Sequence, residues 1–295
     1  MNIKNNDELN DLVSINNVDN NSLTFLYDNE IVRRTLPFGS GLICSSKSAK
    51  EFDSNQKILI VKNVQEAVAK ISNIFYRELN EHEKNQLPKP VLGKNCEIDS
   101  SVKIENGVVV GDNTKINQNT VIKHSCIIGK NTKIGSNTTI SNSILGDNIY
   151  VGSNSSIGQR GFGFYMNNIN NLDIYHSGRV IVRSNASIGS GCTIDRGSFS
   201  DTIIGENSYL DNLCHIAHNV EVGNNCAFAA MTGIAGSAKI GNNVLTGGQA
   251  GIAGHVKIGN NVRIAAKSGV FNSLKDGESV MGNPAINTYT FIKKY

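Results

Sequence analysis

No run of Lys and Arg, no interleaving of basic with aromatic side chains, no Cys-x-x-Cys pair and no apolar stretch long enough to cross a bilayer occurs in the 295 residues. The first two absences, with a net charge of only +3, remove the usual footprint of a nucleic-acid partner. The third leaves the six cysteines without metal-ligand spacing, so they are expected to be core residues and no metal is expected. The fourth argues against a membrane span, and Met1 to Asn21, crowded with Asn and Asp, lacks the apolar centre of a signal peptide. A cytoplasmic protein is expected. The length allows two domains, with enough core to need no disulfide.

What the chain does have is a six-residue period. From Leu92 to Val270 an aliphatic residue returns every sixth position, usually followed by Gly, as in Val222-Gly223, Ile240-Gly241 and Ile258-Gly259. Neither an amphipathic helix nor an alternating strand produces this period; short parallel strands stacked into a β-solenoid do. Three hexads make one triangular coil of about 18 residues, with coils about 4.8 Å apart. Residues 18 apart are therefore expected to be stacked neighbours. Cys96, Cys126, Cys192, Cys214 and Cys226 fall at the fifth hexad position, where a small side chain suits the interior.

Three regions follow: residues 1–90, a small α/β domain; residues 91–281, the solenoid; and residues 282–295, a short tail. In the first, Gly41 to Cys44 and Lys57 to Val61 read as strands. Val64, Val68, Ile71, Phe75 and Leu79 make one helical stripe, ended by Pro88-Lys89-Pro90. The hexad from Ile140 is a residue short; an excursion at residues 162–181 and a second of about four residues after Phe199 leave the same corner.

Loops beside one face of a rigid scaffold are where sites usually lie. That face carries Ile157, Ile194, Ile216, Ile234 and Ile252, and its third positions stack Arg196, His218, Gly236 and Gly254. Gly197, Asn219, Ser237 and His255 stack beside them. Elsewhere the third position holds residues such as Asn224, Asn242 and Asn260, so a histidine there departs from the habit. An imidazole able to accept a proton, one coil from a glycine N–H able to stabilise an oxyanion, suffices for acyl transfer to an amine. A solvated surface histidine is the alternative.

Cys214-His215-Ile216-Ala217-His218-Asn219, preceded by Leu210-Asp211-Asn212, resembles the active-site hexads of the UDP-3-O-(3-hydroxyacyl)glucosamine N-acyltransferase family. Ile194-Asp195-Arg196-Gly197, Gly161-Phe162-Gly163-Phe164, Ala235-Gly236-Ser237 and Gly254-His255 resemble further blocks in the same order. The resemblance implies a left-handed parallel β-helix, assembled as a homotrimer with sites between subunits. It implies a 3-hydroxyacyl donor on the phosphopantetheine of acyl carrier protein, a UDP-sugar acceptor bearing a free 2-amine, and a place in lipid A biosynthesis; no other cofactor is expected. It assigns His218 as general base, Gly236 as oxyanion donor and His255 as a holder of substrate or developing charge. Register makes Asp195 the candidate to orient the imidazole. His215 and Asn219 are candidates for touching substrate, with corner packing equally open for His215. Phe162 and Phe164, with Tyr165, Tyr175 and His176, are expected to shape the acceptor pocket or to pack on a neighbouring subunit.

Departures limit this reading. The family's uracil-binding segment resembles Phe-Leu-x-Asn-Pro-Lys-Tyr, whereas Phe25-Leu26-Tyr27-Asp28-Asn29-Glu30-Ile31 loses the Lys-Tyr end. Uracil stacking by Phe25 and contact through Asp28 stand beside simple core packing. About ten residues follow Pro284 where the family carries helices, which leaves acyl-CoA open as donor and another amino-sugar nucleotide open as acceptor. An O-acyltransferase acting one step earlier is the rival within the superfamily, disfavoured because about 90 residues precede the repeats here and Ser237 follows Ala235-Gly236. A zinc site of the γ-carbonic anhydrase type through His215, His218 and His255, and a non-catalytic scaffold, are the readings from other classes.

Overall fold

The computed structural model describes residues 9–27, 36–52, 56–167 and 169–294. These fall into two compact units: Met1–Glu78 with Gly163–Ser177 and Ser198–Ser200, and Leu79–Phe162 with Gly178–Gly197 and Asp201–Tyr295. The middle of the first excursion and the start of the second thus belong with the amino-terminal unit.

In that unit four parallel strands, β1 (Asp11–Leu12), β2 (Ser22–Phe25), β3 (Gly41–Cys44) and β4 (Lys57–Ile60), pair in sequence order. Helix α1 (Val64–Phe75) starts where the Asn63 side chain accepts the Glu66 N–H. Its Val64, Val68 and Ala69 are buried with Leu12, Leu23, Phe25 and Ile43. The stripe was expected to run on to Leu79. Instead Tyr76 turns extended, its ring stacks on Tyr175 and its hydroxyl bonds Leu12 O at 2.9 Å. The long excursion supplies a hairpin, Phe164–Tyr165 against Leu172–Asp173.

The second unit opens with helix α2 (Glu81–Gln86), started by a reciprocal Asn80/Glu83 capping box and stopped at the residue before Pro88. The solenoid follows as three parallel sheets. The first face runs from Val91–Leu92 to Lys257–Ile258 and the third from Lys103–Ile104 to Gly269–Val270, nine strands each. The second runs from Glu97–Ile98 through Arg263–Ile264 and gains Ser279–Met281 and Ile286–Asn287, eleven strands in all. The tail closes with α3 (Thr288–Lys294).

The pairing is the hexad register: Ile216, Ile234, Ile252 and Val270 follow one another up the third face. The short hexad appears as Ile128 opposite Leu145, and the long excursion as Ile157 opposite Ile194. First-position side chains such as Ile134, Ile140, Ile188 and Ile194 are fully buried, and fifth-position thiols and hydroxyls share that interior. All six cysteines are free thiols, five of them buried.

The fourth position of most hexads takes left-handed backbone, which is why Asn dominates there, as at Asn113, Asn131 and Asn225. Among the described residues no helix is long and apolar enough to cross a membrane.

Candidate active site

On the third face the side chains pointing outward come from the sixth and second hexad positions. Ascending, the sixth-position column reads Thr193, His215, Gly233, Gly251, Gly269, in register by strand pairing. The second-position column reads Asp195, Ala217, Ala235, Ala253, Phe271. Polar groups therefore lie at the bottom and side chains almost vanish above them. The result is a groove of about 640 Å³ whose lining includes Asp195, His215, His218, Gly236, Phe162 and Phe271. A Cβ built on Gly233 or Gly251 meets no atom within 4 Å, so glycine keeps the floor open where any larger residue would fill it.

His218 stands at the third position with its ring across the next coil. A Cβ on Gly236 would lie 2.7 Å from His218 Nε2 and 2.8 Å from Cε1, so only glycine admits the imidazole there. His218 Nδ1 is 2.9 Å from Asn219 Oδ1. With Nδ1–H donating to that oxygen, the lone pair belongs to Nε2, the atom over Gly236. Asn219 is itself fixed, in left-handed backbone at φ 61°, by its N–H donating to Thr202 Oγ1 at 2.8 Å.

The Gly236 N–H is open for a definite reason. On the first face each third-position N–H is capped from the coil above: Asn224 N–H by Asn242 Oδ1, Asn242 N–H by Asn260 Oδ1, and Asn260 N–H by Asp276 Oδ1, each at 2.8 Å. The residue above Gly236 is Gly254, which has no side chain to accept. Among the described residues no hydrogen bond uses the Gly236 N–H, while the Gly236 carbonyl is held by the His255 N–H at 3.1 Å. A donor left uncapped beside an imidazole nitrogen is the arrangement an oxyanion needs.

Asp195 lies one coil below, mostly buried, with Oδ2 3.9 Å from His215 Nε2. His215 Nδ1 is 2.7 Å from Thr193 Oγ1. Burial raises the Asp195 carboxyl above its ordinary range, and positive charge on His215 and His218 opposes that shift. Asp195 was expected to orient His218; the Nδ1–H donates instead to Oδ1 of Asn219, whose short side chain turns back from the adjacent corner.

His255 is exposed, at φ 60°, and does not line the groove. Of the excursion's aromatics, exposed Phe162 lines it. Phe164, Tyr165 and Tyr175 lie in the amino-terminal unit, where Tyr165 packs against the core and Tyr175 on Tyr76. His176 is buried there against Gly163, whose Cβ would meet its Nε2 at 2.2 Å.

Phe25 is likewise a core residue, with ring centroids 5.3 Å from Tyr27 and 5.1 Å from Phe199. Core packing therefore takes the ring that uracil stacking would need. Asp28 lies outside the described residues. Arg196, below His218, is buried and donates from Nε to Gly178 O at 2.6 Å, so it pins the chain where it rejoins the coil. Cys214, just before His215, is kept protonated by the Cys192 thiol beside it and by burial, and burial pushes Cys126 up to about 11. Among the described residues no three His, Cys, Asp or Glu side chains converge as a metal site.

Among the lining residues that escaped the hexad reading are Gln249, Lys267, Phe271 and Asn283. A signal for two of them was present. Leu213, Met231, Gln249 and Lys267 stack at one corner in left-handed backbone, where Asn is the habit.

Residues 201–236 and 237–272 match the family model described as bacterial transferase hexapeptide (six repeats), and residues 87–162 match that described as GMPPB C-terminal domain. A protein named UDP-3-O-acylglucosamine N-acyltransferase from Caulobacter vibrioides (strain NA1000 / CB15N) is 43% identical over 93 residues, 32% of this chain. That match spans 27% of the relative's own length. The solved UDP-N-acetylglucosamine acyltransferase from Campylobacter jejuni is 27% identical with a TM-score of 0.59, covering 67% of this chain and 77% of that one. LpxA from Acinetobacter baumannii gives 25% identity and the same TM-score over 67% of this chain and 76% of its own. The fold is the left-handed parallel β-helix these structures share.

Proposed function

We propose, from its kinship with the UDP-3-O-acylglucosamine N-acyltransferases, that this protein moves an acyl group from a thioester to an amine. The observation that carries the reading is the pairing of His218 Nε2 with the uncapped Gly236 N–H at the polar end of a groove floored by glycine and alanine. An apolar trough suits a fatty chain, and a proton acceptor beside an oxyanion donor suits attack on a carbonyl.

In the proposed reaction the 2-amine of UDP-3-O-acylglucosamine attacks the thioester carbonyl of a 3-hydroxyacyl group carried on the phosphopantetheine of acyl carrier protein. His218 Nε2 takes the proton as the carbon–nitrogen bond forms. The carbonyl oxygen becomes an oxyanion that accepts the Gly236 N–H. Collapse restores the carbonyl and breaks the carbon–sulfur bond, and the imidazolium returns its proton to the departing thiolate. Asp195 adds negative charge near the imidazolium. His215, locked by Thr193, faces the acyl or sugar hydroxyls, and exposed His255 meets the substrate's phosphates at the rim. Neighbouring copies, three in the assembly, would supply the groove's other wall in the cytoplasm.

The test incubates the whole protein with UDP-3-O-acylglucosamine and matched acyl-carrier and acyl-CoA thioesters, and identifies products by mass. An N-acylated sugar formed from the carrier thioester supports the reading. No N-acylated product from either donor refutes it.

A further inference from the structure

In this solenoid a fourth-position N–H ordinarily donates to the third-position carbonyl of the coil below. Asn131 gives its N–H to Asp112 O and Asn225 to Glu206 O, each at 2.8 Å, and on the third face Ser237 gives its own to His218 O at 3.0 Å. By that pattern Asn219 would bond Arg196 O. The chain, however, gains about four residues after Phe199, between those two coils, and the Asn219 N–H goes to the Thr202 hydroxyl at 2.8 Å. A side chain has replaced the backbone as acceptor.

Thr202 is fully buried, at a fifth position whose column is Val180 below it and Val220, Ala238 and Val256 above. Valine would fill the same space, so packing alone does not call for a hydroxyl there. The residue is also tightly placed. Its N–H donates to Arg179 O at 2.8 Å, and Asp201 clasps Arg179, with Oδ1 accepting the Arg179 N–H at 2.8 Å and Oδ2 lying 3.2 Å from Nη2.

What hangs on this anchor is the imidazole. At other fourth positions asparagine side chains bond one another up a corner, as Asn113 Nδ2 to Asn131 Oδ1 and Asn131 Nδ2 to Asn148 Oδ1, both at 3.1 Å. Above Asn219 stands Ser237, and Asn219 Oδ1 accepts the His218 Nδ1–H instead. The direction of that short side chain is set by the left-handed backbone whose N–H ends on Thr202.

We propose that Thr202 is a positioning residue of the site: its buried hydroxyl anchors Asn219, and Asn219 holds His218 in the tautomer whose lone pair lies on Nε2. The tautomer of a neutral imidazole follows the hydrogen bond made by its other nitrogen. Without the anchor the Asn219 N–H has lost its acceptor, the backbone turns to find another, and Oδ1 leaves Nδ1. The effect on turnover rests on the acyl-transfer reading. The tautomer does not, because it belongs to the unliganded protein.

The test is nitrogen-15 NMR of the histidine rings in the whole chain, without substrate and at a pH where His218 is neutral. His218→Gln identifies the signal, and circular dichroism checks the fold. Thr202→Val deletes the acceptor and keeps the bulk; Thr202→Ser keeps the acceptor. Ser101→Ala is the matched control, since Ser101 Oγ takes the Asn119 N–H at 2.9 Å in a coil where no imidazole depends on it. Wild type, Thr202→Ser and Ser101→Ala are expected to carry the His218 proton on Nδ1. Thr202→Val is expected to show a mixture with the Nε2–H form, and a kcat about tenfold lower at unchanged KM. If Thr202→Val does not fold, Thr202→Cys, a weaker acceptor of similar bulk, takes its place under the same outcomes. A wild-type proton on Nε2, or a wild-type tautomer in the variant that lacks the acceptor, overturns the inference. A tautomer that follows Thr202 in a protein that forms no N-acylated sugar refutes the acyl-transfer reading and leaves this inference standing.

Discussion

The first and third faces of the solenoid share one backbone and one register, yet their third positions are used oppositely. On the first face Asn224, Asn242 and Asn260 belong to a ladder in which each side chain caps the N–H of the coil beneath, so each coil ties the next. On the third face Gly236 and Gly254 interrupt that ladder, which costs the local cap and leaves one N–H open beside an imidazole. The contrast teaches that this scaffold makes a reactive position by taking side chains away. A structural cap and an oxyanion donor are the same amide, differing only in what stands 18 residues later.

The comparison is broken most severely at His218. His218→Ala removes the proton acceptor while leaving an outward, partly exposed position, and N-acylation is expected to fall about a thousandfold or more with the fold unchanged. A single-turnover assay checks it. Next comes Gly236→Ala, whose Cβ would lie 2.7 Å from Nε2 and push the ring off its place. A loss of about a hundredfold is expected in turnover, with little change in melting.

Asp195→Asn sharpens the electrostatic half of the account. The native carboxyl is raised by burial, so its ionisation opposes folding: the penalty is absent below the unfolded carboxyl's range and grows as pH rises through the raised folded value. The variant is therefore expected to melt above the wild type at neutral pH and alongside it in acid, read by calorimetry at both. Its turnover is expected to fall by about tenfold, because the nearby negative charge that favours the imidazolium is lost. The smallest effect belongs to the first face. Asn242→Ala uncaps the Asn224 N–H, and a stability loss of about 1 kcal/mol with unchanged turnover is expected from denaturant titration.

Much of this was legible in the period. Strand positions, the stacking of His218 under Gly236, the short hexad at Ile140 and the buried fifth-position cysteines follow from it alone, since a coil of fixed rise converts sequence separation into contact. What period does not encode is side-chain direction and distant partners. It placed Asp195 under His218 but not the rotamer that gives His218 Nδ1 to Asn219. It left Phe25 open between uracil stacking and core packing because Phe199, which packs on it, arrives from an excursion 174 residues later. The apolar stripe ran three residues past Tyr76, to Leu79, although Asn80 and Glu83 spell a capping box that announces a second start. The lining residues Gln249 and Lys267 were passed over because a left-handed corner without Asn carries a weak signal.

The open Gly236 amide is the centre of the account, and Gly254→Asn tests it most directly by restoring on the third face the cap that operates on the first. N-acyl transfer measured at saturating donor and acceptor is expected to fall by about a hundredfold, the scale of one lost oxyanion donor, while the coil stays folded. Wild-type turnover in that variant, with the introduced side chain confirmed to cap the Gly236 N–H, would contradict it.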